Sequence, residues 1–201
     1  INGSIAVLTK PSVATFEEHE RNNLQWALIY SVIAGVINAI MAAIGASLGL
    51  GMSAATGDIS GGEAAVAGGG LVGAIFGAIF FTVIGLLISW GIVYGLGRAF
   101  GGTGAFGELA WGLSLFGAPL TVISSVLGII PFVGWIVSLA AFGYNLYLTY
   151  LAIQSGMNLP SNKALYVILI LLAIGLVLFC LLFGAVFLAL LGLGASGGFA
   201  P

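Results

Sequence analysis

Charge is what this sequence has least of. Only 5% of its 201 residues are charged, four Lys and Arg against six Asp and Glu, while 61% are hydrophobic. Soluble domains carry roughly a quarter charged residues, so a water-soluble fold is excluded. Four cations and a net charge of -2 cannot supply the basic patch that nucleic acid requires. Cysteine and histidine occur once each, as Cys180 and His19. The first excludes an intrachain disulfide. The second lies outside every long apolar run and so excludes haem or chlorophyll ligation by a histidine within the membrane. No Asp, Glu, Lys, Arg or His falls in the middle of an apolar run. Because a charge at the bilayer centre costs about 2.5–3.5 kcal/mol on insertion scales and is kept only for function, this argues against a proton relay, an ion pump or an intramembrane metalloprotease. No cofactor, no metal site and no enzymatic activity are expected.

What is present is apolar sequence in runs long enough to cross a bilayer. A hydrocarbon core about 30 Å thick takes about 20 apolar residues per helix. Five such runs are read: about Leu24 to Met52, Gly69 to Leu96, Phe106 to Ile130, Pro131 to Ser155 and Ala164 to Leu193. They are continuous rather than alternating, which favours helices over a barrel. The expected fold is therefore all-α, a polytopic integral membrane protein with five transmembrane helices in one bundle (24–201). A polar N-terminal lead (1–23) precedes it. Within that lead, Thr15 followed three residues later by Glu18 resembles a capping box, so one short interfacial helix is expected there. The run Glu17-Glu18-His19-Glu20 reads as that helix's solvated face rather than a metal site, since sequence neighbours point around a helix.

The stretch Gly107 to Tyr150 organises the rest. It is too long for one crossing and contains Pro119 and Pro131, so it is read as a helical hairpin that turns at Pro131. Pro119 lacks an N–H and is expected to free the carbonyl near Leu115 and kink the third span, with Ser114 a candidate to satisfy that carbonyl. With five crossings, Lys10, Arg21, Arg98 and Lys163 all fall on one side. The positive-inside rule makes that side cytoplasmic, with the N-terminus cytoplasmic and the C-terminus outside.

Small and polar residues supply the remaining candidates. Small-xxx-small spacings at Gly35 and Ala39, Gly45 and Gly49, Gly73 and Gly77, and Gly91 and Gly95 put small residues on one helix face, where backbones can approach closely, within the chain or against another. Asn38 and Asn145 are buried amides that must find partners in hydrocarbon. Arg98 and Lys163 are candidates to reach lipid headgroups at the membrane surface. The loop GRAFGGTGAFGE lacks the pattern of a phosphate-binding loop, and no strand precedes it.

The order of these features resembles the Yip-domain family: the polar lead, five closely spaced spans, GGTGAFGELAW entering the third span, Pro119 within it, then IIPFVGW and a tyrosine-rich fourth span before Lys163-Ala164. The resemblance implies a protein of membrane organisation and trafficking, in eukaryotes associated with Rab-type GTPases, and this chain looks like a prokaryotic branch. Eukaryotic members carry a Gly-Tyr pair before the third-span proline where Ser114 and Leu115 stand here, a departure that argues against GTPase binding. The function expected is a non-enzymatic scaffold or accessory protein that contacts membrane lipids and a membrane-protein partner through its helix faces. Two alternatives are a small accessory subunit of a respiratory or photosynthetic complex, and a channel or transporter for a neutral or lipid-like solute lined by Asn38, Ser114, Thr121 and Asn145.

Overall fold

The structure, a computed structural model, describes residues 2–47, 62–128, 130 and 133–196. Seven helices occupy them: α1 (Asn2–Thr9), α2 (Val13–Glu18), α3 (Leu24–Ser47), α4 (Gly62–Ala99), α5 (Phe106–Leu127), α6 (Val133–Met157) and α7 (Ser161–Ser196). No strand occurs among the described residues. The five long helices each contain a segment apolar and long enough to cross a membrane, namely Leu24–Ala42, Ile79–Ala99, Phe106–Leu127, Ile136–Met157 and Ser161–Leu181. The chain is thus a polytopic all-α membrane protein, as its apolar runs imply. The fifth helix begins three residues earlier than expected because the Pro160 carbonyl accepts the amides of Lys163 and Ala164 at 3.0 and 3.1 Å. A proline suits a helix start, where a backbone N–H would lack a partner. Gly49, Pro131 and the loop with Asp58 lie outside the described residues, as do the surroundings of Gly45 and Gly73.

α5 is the central helix. It touches α1, α3, α4 and α6, and 44% of its span is buried against 11% for the first. Its continuity survives Pro119, which sits inside Phe106–Leu127. Ser114 does not serve the Leu115 carbonyl. Its hydroxyl donates to Trp111 O at 2.8 Å, because the carbonyl one turn back lies within reach of a short side chain.

The N-terminal lead differs most from expectation: it forms two helices rather than one, and both are packed into the bundle. Ser12, not Thr15, caps α2. Its backbone is extended (φ -154°, ψ 156°) and its Oγ accepts the Thr15 amide at 3.1 Å. Thr15 instead donates its hydroxyl to Lys10 O at 2.9 Å, closing the turn between α1 and α2. Apolar side chains then dock inward. Val7 and Phe16 are fully buried, and the Phe16 ring meets Phe116 of α5 edge to face, centroids 6.1 Å apart. Polar groups fix the register: Tyr144 of α6 donates to Leu8 O at 2.6 Å, Ser4 Oγ bonds Tyr30 Oη at 3.0 Å, and Trp111 Nε1 donates to His19 O at 2.9 Å.

These contacts place the α1–α2 turn well along the bundle. At 1.5 Å per residue, Trp111 stands roughly 8 Å into α5 and Phe116 roughly 15 Å, while Tyr144 stands roughly 20 Å from the end of α6. Lys10, two residues beyond Leu8, is therefore carried away from the end that holds Arg21, Arg98 and Lys163. The four cations do not share one level, as the spacing alone had implied. What moves Lys10 is the docking of Val7 and Phe16, an apolar signal too short to register as a span.

The packed core lies near the end with Arg98 and Lys163, hereafter the charged end. Leu109, Phe116, Leu148, Ile153, Met157 and Val167 are buried there. Farther along, Phe76, Phe80 and Phe81 of α4, Ile136, Leu139 and Phe142 of α6, and Leu176 to Leu181 of α7 are exposed. Within a bilayer these faces meet acyl chains.

Replacing Phe16 by Ala should lower stability by about 3–5 kcal/mol, measured by unfolding of the detergent-solubilised chain. Glu17→Ala, at an exposed neighbour, should stay within about 0.5 kcal/mol. Equal and small effects would mean the lead is a surface appendage.

Candidate functional site

The charged end is assembled where the loop between α4 and α5 crosses the end of α6. Gly104 and Gly156 meet there with no room for a side chain: a Cβ at Gly104 would overlap the Gly156 carbonyl, and a Cβ at Gly156 would lie 2.9 Å from Leu109 Cα. Absence of a Cβ at both positions lets the loop lie on the helix, and Thr103 N donates to Met157 O at 3.0 Å. Gly101 turns the loop with a φ of +90°, a region that costs any L side chain. The Met157 side chain fills the space beneath Gly97 and Gly102, a use of thioether flexibility in an irregular gap.

The loop is then capped by charge. Arg98 Nη1 donates to Gly102 O at 3.2 Å, with its guanidinium 5.8 Å from the Tyr94 ring centroid. Lys163 Nζ lies over Gly101. Glu108 Oε2 accepts the Ala105 amide at 2.8 Å and so closes the first turn of α5. Arg98 and Lys163, read from the sequence as headgroup candidates, thus come together over one loop, and one guanidinium N–H of Arg98 is already engaged in holding it. Glu20, in the link between α2 and α3, is held above its ordinary carboxylate value of 4.5, first by burial and then by the negative charges of Glu108 and Glu17.

Other expected residues fall elsewhere. A Cβ built at Gly91 or Gly95 meets nothing within 4 Å, so their spacing does not bring helices together among the described residues. Gly35 does mark a close approach, its Cβ position 3.1 Å from Thr82 Cγ2 of α4. Asn38 and Asn145 are half-buried, and Asn145 Oδ1 accepts from Thr149 one turn along its own helix at 3.4 Å. The Thr121 hydroxyl likewise turns back to Gly117 O at 2.9 Å.

Two cavities accompany this end. One of about 250 Å³ is lined by Arg21, Asn23, Trp26 and Trp111. The other, about 80 Å³, lies farther along the same pair of helices and includes Tyr30, Ile33, Ala118 and Pro119. Neither is lined by Asn38, Ser114, Thr121 or Asn145, the four residues expected to line a solute path. The meeting of Gly104 with Gly156 was not marked in the sequence, although GGTGAFGE already contained the first of them.

This architecture, in which the glycine-rich loop docks on the end of the fourth span beside a proline-bearing third, coincides with a family match. The Yip1 domain matches residues 5–182, nearly the whole chain. The chain belongs to the Yip1-domain family. The match begins at Ile5, within α1, so it includes the rest of α1 and all of α2. No curated protein matches it, and no solved structure matches it.

In this Yip1-domain protein, Gly104→Ala and Gly156→Ala should each cost about 1–3 kcal/mol through backbone overlap. Gly91→Ala should be neutral or stabilise by up to about 1 kcal/mol through helix propensity. Thermal unfolding of the three variants distinguishes close approach from glycine content. Because the raised pKa of Glu20 belongs to the folded state, its contribution favours folding below the unfolded value and is lost as pH rises through the folded one. Glu20→Gln should therefore raise the melting temperature at pH 7. That gain should vanish as the pH falls below the ordinary value of 4.5.

Proposed function

We propose that this Yip1-domain protein is a non-enzymatic scaffold or accessory component in membrane organisation or trafficking. In this reading the charged end faces the cytoplasm, the C-terminus lies on the other side, and the membrane is that of a prokaryotic cell. The observation that carries the proposal is the division of the bundle into a packed charged end and helices beyond it whose apolar faces stand exposed among the described residues. Phe80 and Phe81 of α4 and Phe179 and Phe183 of α7 are all more than half exposed. Such faces act by contact with lipid or with another helix, where van der Waals packing drives association.

Hydroxyls along the spans support the absence of catalysis. Those of Ser114, Thr121, Ser125 and Thr149 all donate to carbonyls of their own helix. A serine or threonine nucleophile needs a neighbouring base to accept its proton. The departure at Ser114 and Leu115 favours a partner other than a Rab-type GTPase. The same exposed faces support a second reading, a small accessory subunit of a larger membrane complex.

A photo-crosslinking side chain at Phe80 or Phe179, activated in native membranes before gentle solubilisation, tests both. Discrete protein adducts migrating above the 20.3 kDa chain are expected. Only the uncrosslinked chain and lipid adducts from both positions would overturn a partner on these faces.

A further inference from the structure

We propose that the crevice between α3 and α5 binds one membrane glycerophospholipid, its phosphate on Arg21 between Trp26 and Trp111 and an acyl chain in the groove beside Pro119. The two cavities of this region share the same helices and the same faces. On α3, Trp26, Tyr30, Ile33 and Ile37 recur at intervals of three and four residues, which is one stripe of a helix. On α5, Trp111, Ala118 and Val122 recur at intervals of seven and four, again one stripe. The polar cavity takes Arg21, Asn23, Trp26 and Trp111 from the charged end of the stripe. The apolar groove takes Tyr30, Ile33, Ile37, Ala118, Pro119 and Val122 from farther along it. From Trp26 to Ile33 the rise is about 10 Å, a headgroup-to-chain distance in a bilayer leaflet whose headgroup layer is several ångströms deep.

The chemistry of each cavity matches one part of that lipid. Arg21 is exposed in the link before α3 and, among the described residues, is the charged one lining the polar cavity, while the carboxylates of Glu20 and Glu108 stand nearby outside that lining. A guanidinium presents paired donors that fit phosphate oxygens. Trp26 is 59% exposed beside it, and Trp111 has its indole N–H turned away to His19 O, leaving its ring for the apolar part of the ligand. Indole rings favour this level of a membrane, where one edge is wet and the rest apolar. The groove beyond is built differently. Ala34 and Ala118, both buried, keep the helices close, and Pro119 brings no N–H to the wall. An acyl chain meets Ile33, which is 54% exposed. The site differs from the Arg98 and Lys163 pair, whose charges cap the loop between α4 and α5. It rests on the membrane placement of the chain and not on the scaffold reading, so either can fail alone.

The test uses the full chain purified from membranes, delipidated, and offered dioleoyl phosphatidylglycerol, dioleoylglycerol or inorganic phosphate, with occupancy read by native mass spectrometry. One phosphatidylglycerol per chain is expected, with neither dioleoylglycerol nor phosphate retained. Charge-assisted contacts to a phosphate are strong enough that Arg21→Gln should lower retention about tenfold. Ile37→Trp, which fills the groove at a half-exposed position, should lower it as well. Lys10→Gln, away from the crevice, should retain lipid as the parent does. Equal retention of dioleoylglycerol would overturn the phosphate pocket, and retention of phosphate alone would replace the lipid by a free anion. Unchanged lipid binding in both Arg21→Gln and Ile37→Trp, with melting temperatures intact, would overturn the proposal altogether.

Discussion

The approach of Gly104 to Gly156 is the contact on which the rest of this bundle depends. Apolar helices in lipid gain nothing from the hydrophobic effect when they meet one another, so their association rests on backbone proximity, packing and polar bonds. Here two positions without side chains allow a loop amide, that of Thr103, to reach the last carbonyl of α6 at 3.0 Å. That bond closes the α5–α6 pair at one end and seats Met157 beneath Gly97 and Gly102, which in turn draws in the end of α4. Arg98 and Glu108 then act from either side, one on the loop's carbonyl and the other on its last amide. An ordered end follows from geometry, with the charges as trim.

Once that end is fixed, the N-terminal helices have a surface to occupy. Phe16 fills the space over Phe116 and Gly112, and the hydroxyl of Tyr144 and the indole N–H of Trp111 tie down the two helices through backbone carbonyls. Side chains of α5 and α6 therefore recognise the lead through its backbone at least as much as through its sequence. The result is a bundle with two regimes. Toward the charged end, residues from all seven helices share one core; beyond it, α4 and α7 present apolar faces outward. The Yip1-domain match, over residues 5–182, spans both regimes, and the second is available to lipid and to other helices.

Much of this was legible in the residues. Five apolar runs and their order marked the helices, because hydropathy over about 20 residues is a collective property that no single side chain can reverse. The grouping of Arg21, Arg98 and Lys163 also followed from span count. The lead was not legible in the same way: α1 and α2 have eight and six residues, and their burial is decided by Val7 and Phe16 docking onto a surface made by helices a hundred residues away. Glycine spacing misled for a related reason. A small-xxx-small stripe says which face is smooth, and only the partner's position says whether it is used, so Gly91 and Gly95 face open space while Gly156, four residues after Ala152, meets Gly104. Arg21 was visible as one of the grouped cations, but its cavity with Trp26 required Trp111 from another helix.

Amide hydrogen exchange at Thr103 in the native protein tests the central contact most directly. This residue lies in the loop between α4 and α5, outside any helix, yet its N–H is bonded to Met157 O. The account predicts exchange as slow as in the buried turns of α5, and a return to the rate of an open loop in Gly156→Ala. Fast exchange at Thr103 in the unmodified chain would contradict it.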